Sequence, residues 1–170
     1  MIIDGPMGAG KTTITKLLHE RIKNVAHIGL DRIKWFVSGF RRTRPQNAMT
    51  REVVMAMAKE YLKQGVNVII EQGMKQEQIT QYKKIAKDFK AKFLMYKLEA
   101  PKEVLLKRVA ARIPTPGRIK VSPARVLRNY RLFNQFNKDK HNEATVFDTE
   151  KLTPEQVVAF IVKDIKKLKT

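Results

Sequence analysis

Gly5-Pro6-Met7-Gly8-Ala9-Gly10-Lys11-Thr12 satisfies the pattern G-x-x-x-x-G-K-[ST] at every fixed position. Glycines let the backbone wrap closely, so successive N–H groups turn inward on a β-phosphate. A helix starting at the end of such a loop adds its positive pole. Lys11 can then bridge β- and γ-phosphates, and the Thr12 hydroxyl can ligate Mg2+. The alternative is a glycine-rich turn that happens to contain Lys and Thr. With Gly near ~7% of residues, a chance match in a chain of this size is on the order of 1% or less. The candidate nucleotide-binding residues are therefore Gly5, Met7, Gly8, Ala9, Gly10, Lys11, Thr12 and Thr13, with ATP and Mg2+ as the expected ligands.

Three further groups could carry chemistry. Asp31 follows an apolar stretch that reads as a strand, and strand C-terminal ends face the ligand crevice in a parallel sheet. A carboxylate there can accept the proton of an attacking hydroxyl, or hold it in line with the γ-phosphate. The competing reading is a helix N-cap, and the cationic segment beginning at Arg32 favours the catalytic one. Glu71 closes Val68-Ile69-Ile70-Glu71, a hydrophobic run ending on a carboxylate that could hold a Mg2+-bound water or a substrate hydroxyl. A surface acid at a strand end has the same appearance. Arg108 and Arg112 are four apart and so expected on one helix face, with Arg118 beyond a Pro/Gly break. Phosphoryl transfer builds charge on oxygen, and arginines arriving on closure of a lid stabilise it. The competing reading is an amphipathic helix with surface arginines.

The chain has 170 residues, no Cys, and 35 Lys+Arg against 16 Asp+Glu, a formal net charge of +19. That length suits a single domain with its own core. Without Cys there is no disulfide framework, no Cys-ligated zinc and no Cys nucleophile. No apolar run approaches the ~20 residues of a membrane span, and the immediate entry into a strand leaves no room for a signal peptide. A cytoplasmic protein that attracts anions is the expectation. The charge is unevenly spread. Arg32, Lys34, Arg41, Arg42, Arg44 and Arg51 occupy the stretch from 32 to 51 with no acid among them. Lys102 to Arg131 holds nine basic residues, six of them Arg, opposed only by Glu103. Arg forks suit phosphate. Lys83, Lys84, Lys87, Lys90 and Lys92 read as a solvated face. Trp35, Phe36 and Phe40 interleave with cations, an arrangement able to stack a base. Phe36 and Phe40 are nonetheless expected in the core, with Trp35 left open.

The elements that must position these groups follow from periodicity. Strands are expected at 1–4, 25–28, 66–71, 91–98 and 144–147. Helices are expected at 11–23, 50–64, 76–89, 101–112, from 123, and from 153 onward, the last opened by a capping box in Thr153-Pro154-Glu155-Gln156. Residues 32–49, with Gly39 and Pro45, read as irregular. Five strands alternating with helices predict an α/β fold with a parallel sheet.

In the phosphate loop, Leu30-Asp31-Arg32, Ile70-Glu71-Gln72-Gly73, Leu105 to Leu132 and Asp148-Thr149, the sequence resembles the small P-loop kinases. That group includes polynucleotide kinases, zeta-toxin-like kinases and chloramphenicol-type phosphotransferases. The resemblance implies a nucleoside-monophosphate-kinase-like three-layer αβα fold, with a five-stranded parallel sheet in the order 2-3-1-4-5. It implies one kinase domain over 1–170, with a short helical lid at about 108–122 and an acceptor-side segment at about 32–51. Asp31 would be the base, Arg108, Arg112 and Arg118 lid or phosphate arginines, and adenine would sit near the loop after Phe147. These kinases usually carry Arg three residues after the base, where this chain has Lys34. Lys keeps the charge but loses the fork, leaving that role to a nearby Arg. The acceptor side thus comprises Asp31, Arg32, Lys34, Trp35 and Glu71, and the acceptor is expected to be anionic, either a small molecule or a nucleic-acid 5′ end. A nucleotide-gated RNA- or DNA-binding protein with little turnover is the competing class. A plain NTPase stands third.

Overall fold

A computed structural model describes residues 1–112, 121–137 and 144–168. Its elements alternate as the apolar runs require: β1 (Ile2–Asp4), α1 (Lys11–Arg21), β2 (Val25–Gly29), α2 (Leu30–Lys34), α3 (Arg44–Lys63), β3 (Asn67–Glu71), α4 (Gln76–Asp88), β4 (Met95–Glu99), α5 (Lys102–Ala110), α6 (Pro123–Asn137), β5 (Thr145–Asp148) and α7 (Pro154–Lys167). The strands form one sheet in the order β2-β3-β1-β4-β5, every pair parallel.

β1 lies in the middle of the sheet and is buried along its length. Side chains alternate faces, so its neighbours feed two cores. Ile3, Ile69, Tyr96 and Leu98 pack with Ile14 and Leu18 of α1, Leu105 of α5 and Val157 and Ile161 of α7. Ile2, Ile28, Ile70 and Met95 pack on the other face with Val54 and Ala58 of α3 and Ile79, Tyr82 and Ile85 of α4. These are the three layers expected, and they turn the C-terminal ends of β1, β2 and β3 into one crevice.

Two features of the 32–51 stretch depart from expectation. A short helix, α2, begins directly after β2, and α3 begins at Arg44, six residues before the expected start. Thr43 caps α3 by accepting from the Gln46 N–H, and Pro45 lies in its first turn. Proline there costs no hydrogen bond, because the first N–H groups of a helix have no partner within it. Pro45 therefore starts a helix instead of interrupting one. α7 opens on the expected capping box, with Thr153 and Gln156 bonding reciprocally.

Candidate active site

The loop between β1 and α1 is built for close approach. Gly8 adopts φ +94, and a Cβ there would lie 2.9 Å from the Leu105 carbonyl oxygen. Gly10 precedes α1 at φ +93 with open space where a side chain would stand. No side chain caps α1, so its first N–H groups remain available to an anion. Lys11 donates to the Gly5 carbonyl at 2.8 Å and the Pro6 carbonyl at 3.0 Å. Its ammonium lies over the mouth of the loop. Burial lowers its pKa, and Asp4, Glu71 and Asp31 act against that, while the charge of Arg112 adds to it. All four groups therefore sit within electrostatic reach of Lys11.

Beneath the loop, Asp4 is fully buried and accepts from Gly5 at 2.7 Å and Met74 at 3.2 Å. Burial raises its carboxyl to about 6, against the pull of Lys11, the two N–H groups and Lys97.

The Thr12 hydroxyl donates to Glu71 at 2.5 Å, so the two residues expected to serve one Mg2+ are together. Oxygen donors of this kind suit Mg2+, which keeps water and substrate phosphates for its other positions. Among the described residues no cluster of three or more Asp, Glu, His or Cys exists to cage a metal. Burial works to raise the Glu71 pKa, but hydrogen bonds from His27 and Thr12 and the Lys11 charge prevail and hold it below the usual range. Thr13 is exposed on the first turn of α1.

Asp31 projects from α2 with its side chain 72% exposed, while Lys34 is 7% exposed and donates to it at 2.8 Å. Lys34 is thus turned onto the candidate base. Arg42 reaches the same carboxylate at 3.5 Å and lies over the Trp35 ring at 5.8 Å. Crowding of Asp31 by the crevice raises its pKa, but Lys34, Arg42 and Lys11 outweigh this and the carboxyl falls below the ordinary range. Arg125, from α6, also faces this group: its pKa is lowered by burial and then by Arg42, and Asp31 opposes the effect. Arg32 is exposed.

The expected aromatic core is corrected here. Phe36 is 78% exposed and Trp35 is 47% exposed, because α2 is a single turn whose inner face is already filled by Ile33 and Lys34. Phe40 is half-buried and meets Trp35 edge-on at 6.3 Å.

The arginine pair is also separated. α5 ends at Ala110, so Arg112 lies beyond the helix and does not share a face with Arg108. Arg108 donates to the Thr149 hydroxyl at 2.9 Å and carbonyl at 2.5 Å, at the end of β5. Arg118, and residues 113–120 of the expected lid, lie outside the described residues.

Sequence reading missed Arg42 and Arg125 as partners of Asp31, and it missed His27 and Asn129. His27 bonds Glu71 at 3.0 Å across 44 positions, and Asn129 accepts from the Met7 N–H at 2.6 Å across 122. No local pattern carries such contacts. Asn129 brings α6 over the loop, and α6 residues Tyr130 and Phe133 join Pro101 and Val146 around a cavity of about 280 Å³.

A parallel sheet in this order, with a glycine-rich phosphate loop between its central strand and α1, is the α/β P-loop kinase fold. The chain belongs to the family described as AAA domain, which matches residues 1–135. No curated protein matches it. Among solved structures it is similar to a chain of the Pnkp1/Rnl/Hen1 RNA repair complex, with TM-score 0.71 and 17% identity over 84% of this chain. It spans less than half of that chain, 46%. It is similar to a sugar kinase from Janibacter sp. HTCC2649 (TM-score 0.67, 18% identity, 95% of this chain and 91% of that one). It is also similar to the tunicamycin resistance protein of Deinococcus radiodurans (TM-score 0.60, 20% identity, 96% and 94%). At these identities the likeness is one of fold.

Proposed function

We propose that this protein is an ATP-dependent kinase that moves the γ-phosphate to a hydroxyl of an anionic acceptor. The observation that carries the reading is that Asp31 follows β2 at the strand end where Glu71 meets Thr12 of the loop, with Lys34 and Arg42 on its carboxylate. The loop N–H groups would hold the β-phosphate, and Lys11 would leave the Gly5 and Pro6 carbonyls for the β- and γ-oxygens. Thr12 and Glu71 would hold Mg2+, which when bound neutralises charge on the phosphates. Asp31, kept ionised at neutral pH by its cationic neighbours, would accept the hydroxyl proton. Arg112 would add charge stabilisation at the γ-phosphate, with Arg118 in the same role. Arg108, held at Thr149, would instead brace the end of β5, where Val146 and Asp148 flank the cavity that would take the adenine.

Arg42 and Arg125, with Lys34 and Arg32, would receive the acceptor's own anionic group. Two guanidinium groups facing one carboxylate leave an excess of positive charge that an anion can neutralise. Asp31→Asn tests the assignment: phosphoryl transfer should fall by about 10²–10⁴-fold, with ATP binding unchanged. Intact transfer in this variant would show that another group takes the proton.

A second reading, a nucleotide-gated nucleic-acid-binding protein with little turnover, is favoured by exposed Trp35 and Phe36 among Arg41, Arg42 and Arg44. A solved relative of this fold belongs to an RNA repair complex. That reading requires oligonucleotide affinity to fall steeply with salt as counterions are released. Salt-insensitive or undetectable binding removes it.

A further inference from the structure

We propose that His27 is a positioning residue that fixes the Glu71 carboxylate for Mg2+; this rests on the assignment of Thr12 and Glu71 to the ion. A glutamate at a strand end has three rotatable side-chain bonds and would sample several orientations if left to solvent. Here both of its oxygens are committed. Oε1 accepts from Thr12 at 2.5 Å and Oε2 accepts from His27 Nε2 at 3.0 Å, while the Thr15 hydroxyl lies 3.2 Å from both Oε2 and the Thr12 carbonyl and shares its one proton between them. The His27 and Glu71 side chains are only 6% and 13% exposed, so water does not readily replace a lost donor.

The strand register explains how they meet. His27 pairs with Ile69 and Gly29 with Glu71, so His27 and Glu71 project from the same face of neighbouring strands, two positions apart. Gly29 lies directly opposite Glu71, and the position of its Cα places it beside the same carboxylate. Thr12 and Thr15 lie one turn apart at the start of α1. They reach the carboxylate from above, while His27 reaches it from the β2 side. When Thr12 turns its oxygen to the ion, His27 and Thr15 remain to hold Glu71 in place. Partners that orient a metal-binding carboxylate are typically worth about 10–100-fold in metal affinity.

His27 also borders a cavity of about 500 Å³, lined by His19, Met57 and Tyr61, that opens at the β2 edge of the sheet. His27→Ala would leave a ring-sized space beside Glu71 in this otherwise buried position.

The test is a Mg2+ titration followed by the fluorescence of a bound ADP analogue, which needs no turnover. His27→Ala should raise the Mg2+ concentration at half-effect about tenfold, with analogue affinity in EDTA unchanged. His27→Gln, whose amide N–H can occupy the place of Nε2, should restore it. His27→Asn, whose amide falls short, should resemble His27→Ala. Added imidazole, by filling the space that the ring leaves, should lower the Mg2+ requirement of His27→Ala. Glu71→Gln separates the two levels of the argument. If it raises the requirement and the His27 variants do not, the positioning role is wrong. If neither does, the Mg2+ assignment fails, and the proposal with it. Equal behaviour of the Gln and Asn variants would likewise overturn it, even if the alanine variant folds poorly.

Discussion

The two ends of the crevice differ in how their charges are satisfied. At the phosphate loop most polar groups are closed on one another: Lys11 on two carbonyls, Thr12, Thr15 and His27 on Glu71, and two N–H groups on Oδ1 of Asp4, whose Oδ2 is buried without a hydrogen-bond partner among the described residues. Around Asp31 the arrangement is open. The carboxylate is largely exposed, Trp35 and Phe36 stand in solvent, and Arg42 and Arg125 act on each other as like charges. A site shaped for one unvarying ligand, a nucleotide, can be prebuilt and internally bonded. On the proposed reading the open end would stay cationic until its acceptor arrives, and it is where Lys34 stands at the position that the resemblance gives to Arg.

This contrast can be broken at either end. At the closed end the loss falls on the chemical step. Lys11→Met should reduce phosphoryl transfer by about 10²–10³-fold or more, since it removes a preorganised charge from the transferring group. A loss under tenfold would mean that Lys11 does not engage the γ-phosphate. At the open end, Arg42→Gln and Arg125→Gln should each raise the KM for an anionic acceptor by about tenfold, with the KM for ATP unchanged. Each removes a charge-assisted contact of roughly 1.5–3 kcal/mol. The effect should shrink in high salt. Equal shifts in both KM values would mean that these arginines serve the nucleotide.

A third effect concerns stability under the loop, away from the chemistry itself. Burial raises the Asp4 carboxyl from 3.8 to about 6, so the folded state holds this proton more tightly than the unfolded one. The resulting stabilisation is full below about pH 4 and is lost as pH rises through about 6. Asp4→Asn stays neutral and escapes that loss. Its stability relative to the parent should therefore rise between about pH 4 and 7, by on the order of 3 kcal/mol. Denaturant melts across this range check it, and a difference independent of pH would contradict the buried-carboxyl reading.

Much of the fold was legible because its signals are local. The strands β1 and β3 are short apolar runs, the phosphate loop has fixed spacing, and α7 carries its cap beside it. The start of α3 was equally local: Thr43 before Pro45 repeats the logic of Thr153 before Pro154, but Pro45 was weighed as a breaker beside Gly39. Phe36 was assigned to the core on residue type, whereas α2 is too short to offer it a buried face. The site divides in the same way. Lys11 and Thr12 could be proposed from the fixed spacing of the loop, and Asp31 and Glu71 from their places at or just past strand ends. Arg42, Arg125, Asn129 and His27 could not, because each acts through contacts that only the folded sheet and α6 create.

The central claim is that the γ-phosphate goes to an anionic hydroxyl compound instead of water. The direct test follows γ-labelled ATP with Mg2+, offered separately a 5′-hydroxyl oligonucleotide, sugar phosphates, nucleosides, uncharged sugars and antibiotics. The account predicts label in an anionic acceptor, and a loss of that label in Arg42→Gln and Arg125→Gln. Label appearing only as inorganic phosphate, at a rate no acceptor alters, would contradict it.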